Sequence, residues 1–291
     1  MAITAAMVQE LRAKSGAGMM DAKKALVESE GDMEIAIDWL RTKGLAKAAK
    51  KSDRTAAEGL VCVKVGNGQA SAIEVNSETD FVAKNADFQE LVELIAAKSL
   101  DCSSLSELMN STSENESLQD LVTAKIAKIG EHMAVRRLDK LIGSNLYTYV
   151  HNAVKSSMGK IGVIVSLSQD NADFGKKVAM HIAAANPTSV SEKDLDIDMI
   201  NKEKKILFDQ AKESGKPENI IENMVNGRIK KYFEEVTLVN QKFVLNPDLT
   251  VKQASEQEGV EVLSFIRLEV GEGIDKKQED FAEEVAKTIK K

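Results

Sequence analysis

The chain has 291 residues, 43% of them hydrophobic and 29% charged, with a formal net charge of −7 and a pI near 5.3. At about 150 residues per domain the length suits roughly two domains, and the proportions exclude a disordered or fibrous chain. The negative excess disfavours a dedicated nucleic-acid binder, which presents positive charge to phosphate.

With only three prolines and 4% aromatic residues, the chain should be largely helical. The first segment reads as a small helical bundle. Thr4 suits an N-cap for a helix through Leu11, and Ser15-Gly16-Ala17-Gly18 breaks it. A second helix runs from Met20 to Ser29 with Ala22, Ala25 and Leu26 on one face. A third covers Met33 to Leu40, with Ile35, Ala36, Trp39 and Leu40 expected inward. Lys43 to Arg54 is basic and alanine-rich, and reads as a solvated linker helix.

From Gly59 the period changes. Leu60 to Val65 and Ala70 to Val75 are strand-like runs about Gly66-Asn67-Gly68, hence a hairpin. Phe88, Leu91, Val92 and Ile95 then follow helical spacing, Ser103 to Ser117 is polar and reads as a loop with a short helix, and Leu121 to Leu141 reads as helix interrupted at Gly130. The plan then repeats. A strand at Lys160 to Ser166 precedes Asn171-Ala172-Asp173-Phe174 and a helix with Phe174, Val178, His181 and Ile182 on one face. The earlier half has Asn85-Ala86-Asp87-Phe88 at the same place. A weaker third copy pairs a strand at Phe265 to Val270 with a helix from Glu279 carrying Phe281, Val285 and Ile289. Between Pro187 and Pro247, Leu195 to Glu213 and Ile220 to Phe233 are two helical patterns joined near Pro217. They predict an antiparallel hairpin whose apolar stripe needs cover from the core or another chain.

Signs of catalysis are scarce. There is no Walker loop, and the glycine pair at Gly66 and Gly68 lacks the rest of a dinucleotide fingerprint. His132, His151 and His181 have no zinc-site spacing, and Cys62 and Cys102 form neither a C-x-x-C motif nor a disulfide framework. No enzyme, cofactor or metal is expected. No apolar run reaches membrane-spanning length and Met1 to Gln9 has no signal-peptide character, so the expected setting is cytoplasmic, without a membrane.

Asp-Phe occurs at residues 80, 87, 173 and 280. In three copies the aspartate opens a helix, where the dipole favours it, and the phenylalanine opens a buried stripe. Asp80-Phe81 differs, because Lys84 and Asn85 occupy the positions that would continue an apolar face. Phe81 follows the polar turn Asn76-Ser77-Glu78-Thr79, where it either tucks back into the local core or anchors a partner.

The run from Glu74 to Lys84 (EVNSETDFVAK) resembles the signature of the elongation factor Ts family, as do Leu11 to Leu26 (LRAKSGAGMMDAKKAL) and Phe265 to Ile274 (FIRLEVGEGI). The resemblance spans essentially the whole chain. It implies an α+β protein with an N-terminal three-helix module like a ubiquitin-associated domain, a two-part α+β core with repeated strand–helix units, an inserted helical hairpin and a C-terminal helical module. The expected segments are 1–54 for the module and linker, 55–142 for the first core part, and 143–187 with 235–270 for the second. The hairpin, of dimerisation type, takes 188–234, and the C-terminal module 271–291.

The resemblance also implies a function: exchange of guanine nucleotide on elongation factor Tu, bound both with GDP and nucleotide-free. In the family the Thr-Asp-Phe-Val turn enters the GTPase near its magnesium site. Carried over, Thr79, Asp80, Phe81 and Val82 would disturb the Mg²⁺ and phosphate contacts. Further contacts would be Met19, Met20 and Lys23 on the N-terminal module, Ile129 and Gly130, His151, and Val244 with Leu245. Leu245 departs from the methionine of the family form compared. The plainer readings are an exposed lysine at position 23, a core methionine at 19 or 20, a helix kink at 130 and a surface histidine at 151. His181 and Trp39 read as core. A hairpin chaperone or adaptor is the alternative function, and homodimerisation through 188–234 stands beside packing of the hairpin on its own core.

Overall fold

The computed structural model describes residues 3–213 and 217–275. The chain divides into two units that interleave along the sequence. The first is Met1–Val61 with Ile73–Leu138 and Glu269–Lys291; the second is Cys62–Ala72 with Asp139–Leu268. The architecture is α+β, with an N-terminal helical region.

Three helices open the first unit: α1 (Ala5–Ser15), α2 (Met19–Glu28) and α3 (Met33–Ala49). The Thr4 hydroxyl accepts the Met7 N–H at 3.3 Å and the Asp32 carboxylate accepts the Ile35 N–H at 2.9 Å, so side chains satisfy amides that helix starts leave unpaired. Leu11, Ala22, Ala25, Leu26 and Ala36 are buried between the helices. Ile35, expected inward, is 57% exposed. Ala36 takes the inward position, and a neighbour in a helix lies about 100° round the axis.

The hairpin β1 (Glu58–Gly66) and β2 (Gln69–Ser77) follows, then the single turn α4 (Asp80–Ala83), α5 (Ala86–Ser99) and α6 (Leu105–Asn110). The short strands β3 (Thr112–Ser113) and β4 (Glu116–Ser117) precede α7 (Leu118–Ile129) and β5 (Met133–Ile142). Phe88, Leu91, Val92 and Ile95 are buried on α5, as their spacing predicts.

Two expectations are corrected here. The basic stretch is no separate linker: α3 runs on to Ala49 and packs against α7, and Lys43 and Lys47 pair with Asp21 at 3.5 and 2.7 Å. The helix expected over Leu121–Leu141 stops at Ile129, and its second half is strand β5, beside β2. The leucines of β5 suit a helical period, but Arg136 and Arg137 are drawn to the carboxylate of Glu74 on the neighbouring strand.

The second unit holds β6 (Leu146–His151), β7 (Met158–Gly159), β8 (Ile161–Leu167) and α8 (Ala172–Ala185). After these come α9 (Ile197–Lys212), α10 (Glu218–Val236), β9 (Lys242–Phe243), β10 (Asn246–Thr250), α11 (Val251–Glu258) and β11 (Val262–Glu269). Strand β8 lies between β11 and β6, pairing antiparallel with β6 so that Tyr149 faces Val163. Val163, Val165, Phe174, Val178, Ile182 and Phe243 form its core. Gly175 lets α8 close onto the sheet, for a Cβ there would meet the Tyr147 ring at 2.2 Å. Strand β6 alternates polar and aromatic residues, a pattern that apolar spacing in the sequence does not mark.

The hairpin α9–α10 closes its own seam. Ala211, Ile221, Val225 and Ile229 are buried with Leu207, Phe208 and Phe233 packed against them. That corrects in part the expectation that its stripe needs cover from elsewhere, since Ile197, Met199, Ile206 and Ile220 remain exposed. The tip residues 214–216 and the helix expected from Glu279 lie outside the described residues. Among the described residues no helix is long and apolar enough to cross a membrane.

Candidate partner-binding turns

In the first unit, β2 is fixed at its middle by a buried charge. Glu74 is fully buried and accepts the Gly271 N–H at 2.7 Å, the Asn76 amide at 2.9 Å and the Arg136 guanidinium at 3.1 Å, with Arg137 also bound. Burial alone would raise its pKa, but the Gly271 N–H, Asn76 and Arg137 outweigh it and hold the carboxyl below its usual range.

After Ser77 the chain leaves the sheet and makes α4. Thr79 stands at the N-cap with φ −121° and ψ 157°, yet its hydroxyl does not cap the helix. The hydroxyl donates to Glu131 Oε1 at 2.7 Å, and the Thr79 N–H donates to Oε2 of the same carboxylate at 3.0 Å. In return the His132 N–H donates to Glu78 Oε1 at 2.5 Å, and the Arg54 guanidinium lies 3.5 Å from that oxygen. Val82 and Ala83 point inward and are buried.

Phe81 points the other way and is 77% exposed, whereas Phe88, seven residues on, is wholly buried. Of the two readings of Phe81, tucking back is therefore excluded. Leaving such a ring in water forgoes about 1.5–3 kcal/mol of burial. Asp80 pairs with Lys84 at 2.8 Å, and that ammonium lies 5.9 Å from the Phe81 ring centre. An exposed pair of this spacing is worth about 0.5 kcal/mol, so a partner can rearrange it at little cost.

Ile129 and Gly130 end α7. Gly130 takes φ +93° and donates its N–H to the Ile126 carbonyl at 2.9 Å, the left-handed stop that glycine supplies without strain. The Lys51 ammonium reaches the Gly130 carbonyl. Position 130 is thus a helix end rather than a kink. It also delivers Glu131, which no sequence signal marked beyond its place directly after that glycine.

Met19, Met20 and Lys23 are all exposed on α2, together with Val27, while Ala22, Ala25 and Leu26 face inward. Neither methionine is core. Trp39 is partly buried against the bundle core, with the Lys43 ammonium 4.5 Å from its ring centre.

In the second unit, His151 ends β6 and is exposed, its Nδ1 3.2 Å from the Tyr149 hydroxyl. Val244 and Leu245 are the two turn residues between β9 and β10, where Phe243 faces Asn246. Both are about half exposed, at 51% and 47%, and neither has the positive φ that favours Asn-Gly at such turns. The Val244 N–H donates to Nδ1 of buried His181 at 3.2 Å, and the other ring nitrogen meets Gln241 Oε1 at 2.8 Å. An N–H can only donate, so Nδ1 accepts and the proton sits on Nε2: the ring is neutral. Burial pushes the His181 pKa down, against the opposing bond to Gln241.

Among the described residues no group of three or more His, Cys, Asp or Glu side chains could hold a metal ion. A cavity of about 430 Å³ lies among α3, α7 and β5, lined by Leu45, Val122, Ile126 and Met133 with His132. Its lining has no carboxylate or thiol to work beside the imidazole.

Comparison with known proteins adds an independent finding. The family model described as "Elongation factor TS" matches residues 78–272. The chain is 60% identical over 289 residues to elongation factor Ts of Dinoroseobacter shibae, covering 99% of each chain. It is 61% identical over 292 residues to that of Paracoccus denitrificans, again covering 99% of each. With the protein of that name from Jannaschia sp. it shares 59% identity over 290 residues, 100% of both chains.

Proposed function

The chain belongs to the elongation factor Ts family of translation elongation factors, and on that premise we propose that it is the guanine nucleotide exchange factor of elongation factor Tu. The supporting observation is Phe81, an aromatic ring 77% exposed on a turn whose backbone is pinned from behind. A large apolar group held out from a rigid base suits insertion into a partner.

In this reading the Thr79-Asp80-Phe81-Val82 turn enters the GTPase beside its magnesium site. Phe81 supplies the wedge and Asp80 the charge, while Thr79 and buried Val82 hold the base of the turn. The bound nucleotide depends on Mg²⁺ and phosphate contacts, and shifting the groups that support them loosens GDP. The factor forms no covalent bond with anything. It binds the nucleotide-free GTPase more tightly than the GDP form, and linkage requires GDP to bind the complex more weakly by the same factor. Met19, Met20 and Lys23, Ile129 and Gly130, His151, and Val244 with Leu245 supply binding energy to hold the turn in place.

Release of fluorescent GDP from elongation factor Tu tests this directly. The full-length chain is expected to accelerate release, and no acceleration at micromolar concentration would overturn the reading. Sedimentation of the free chain tests whether the hairpin within 188–234, which keeps Ile197, Met199, Ile206 and Ile220 exposed, also joins two copies.

A further inference from the structure

We propose that Glu131 is a positioning residue of the exchange turn: its carboxylate fixes the direction of Asp80 and Phe81 by holding both donors of Thr79. The inference rests on the exchange reading above, which takes the bond to Thr79 only as a rigid base and gives Glu131 no role of its own.

The turn cannot hold itself. Helix α4 has four residues, too few for a stable isolated helix, and no side chain caps its start. The Ser77 hydroxyl donates to the Thr79 carbonyl at 3.0 Å, but both donors of Thr79 are held from elsewhere in the first unit. Glu131 receives the Thr79 N–H at 3.0 Å and the Thr79 hydroxyl at 2.7 Å, one on each oxygen. Glu78 receives the His132 N–H at 2.5 Å, and His132 Nδ1 lies 2.8 Å from the Arg54 carbonyl oxygen. Two neighbouring residues of one loop, 78 and 79, thus exchange side-chain-to-backbone bonds with two of the other, 131 and 132. A capping box uses the same reciprocity at a helix start. Here it ties two segments more than fifty residues apart in sequence.

The chemistry calls for a carboxylate. Thr79 offers two donors, and an ionised carboxylate offers acceptors on both oxygens. An amide would turn its NH2 toward one of the donors and lose that bond. With Thr79 fixed, the next two residues leave it in one direction, and Ile129 and Gly130, immediately before Glu131, keep a set relation to them. A wedge ordered in advance surrenders less entropy on entering its partner. The effect of Glu131 on Phe81 passes through Thr79, whose N–H and hydroxyl it holds.

The test measures GDP release from elongation factor Tu over a range of factor concentrations, beside melting curves and amide exchange of the full chain. Glu131→Gln is expected to lower the maximal release rate about tenfold, the loss of one charge-assisted hydrogen bond. The half-saturating concentration should change less than twofold, the melting temperature should hold, and the Thr79 amide should exchange faster. Thr79→Val, which loses the hydroxyl donor, should lower the maximal rate, and Thr79→Ser should restore it. The Thr79→Val and Glu131→Gln effects should not multiply in the double variant. A maximal rate within twofold of the parent in Glu131→Gln would overturn the proposal, as would an effect confined to half-saturation. If Glu131→Gln melts early, the Thr79→Val and Thr79→Ser pair decides, since loss without rescue also overturns it. Phe81→Ala separates the two readings. If it slows release and Glu131→Gln does not, only the positioning role fails; if the parent does not accelerate release, the exchange reading itself fails, and unchanged Thr79 amide exchange in Glu131→Gln would reject the clamp independently.

Discussion

The turns at 79–82 and 244–245 both hold apolar side chains in solvent, and in each a distant side chain accepts a backbone N–H. In the first unit the turn is Thr79 to Val82 and the acceptor is the Glu131 carboxylate. In the second the turn is Val244-Leu245 and the acceptor is the neutral imidazole of His181. The acceptors differ in burial and in chemistry. Glu131 is partly exposed, so its loss should loosen a turn without opening a core. His181 is 1% exposed, packs with its ring centre 5.7 Å from that of Phe243, and belongs to the core it helps to fill. The first turn is thus expected to be separable from folding, and the second is not.

The largest effect that would break this contrast comes from His181→Ala. It leaves a cavity and strips Val244 N–H and Gln241 Oε1 of their partner, and should cost about 3 kcal/mol in urea unfolding. A cost below about 1 kcal/mol would make the two turns alike. Phe81→Ala should do the reverse. Exchange should slow about thirtyfold, the size of a hot-spot loss of about 2 kcal/mol, while unfolding shifts by less than about 0.5 kcal/mol. Those two measurements on one variant sharpen the contrast most.

Gly130→Ala addresses the route by which Glu131 reaches Thr79. A Cβ there meets nothing closer than the Lys51 ammonium at 3.6 Å, so the cost is purely conformational. It should be about 1 kcal/mol, and Gly130→Asn should recover part of it, since asparagine tolerates the left-handed region better. Thermal melting of both variants checks the order.

The smallest effect is that of pH. The folded His181 pKa lies below its ordinary 6.5, so under mild acid the unfolded chain binds a proton that the folded chain refuses. The stability this gives is complete above about 6.5 and is lost as pH falls toward the folded value. Protonation also sets a hydrogen on Nδ1 against the Val244 N–H. Stability measured from pH 7 to 5 should therefore decline gently in the parent and less in His181→Gln. Glu74, Asp21, Asp87 and Asp120 all titrate below their ordinary range, so their contributions are lost only at lower pH.

Much of the fold was legible because local patterns coincided with tertiary ones. The Asn-Ala-Asp-Phe repeats fold as the spacing says. The Asn85 and Asn171 side chains accept amides at the helix starts, and Phe88 and Phe174 are buried one turn in. His181 on an apolar face is a hydrogen-bonded core histidine, as its position implies. The structure departs from the sequence expectation where a residue distant in sequence decides. Residues 133–142 carry leucines that also suit a helix, and only the neighbouring strand with its buried Glu74 makes them strand. The hairpin stripe reads as needing outside cover because the pattern of a single helix does not show how much of it an antiparallel neighbour buries.

The sequence by itself determined the α+β composition, the helix caps, the buried phenylalanines and the oddity of Phe81, because each depends on residues within a turn or two. It also determined family membership, through long ordered runs of residues. Only the tertiary structure decided that Phe81 stands in water, that Val244 and Leu245 form a tight exposed turn, and that Glu131 and His181 hold the two turns. Those features depend on hydrogen bonds between residues 52 and 63 positions apart. No periodicity in a linear sequence records which distant acceptor a backbone N–H will meet.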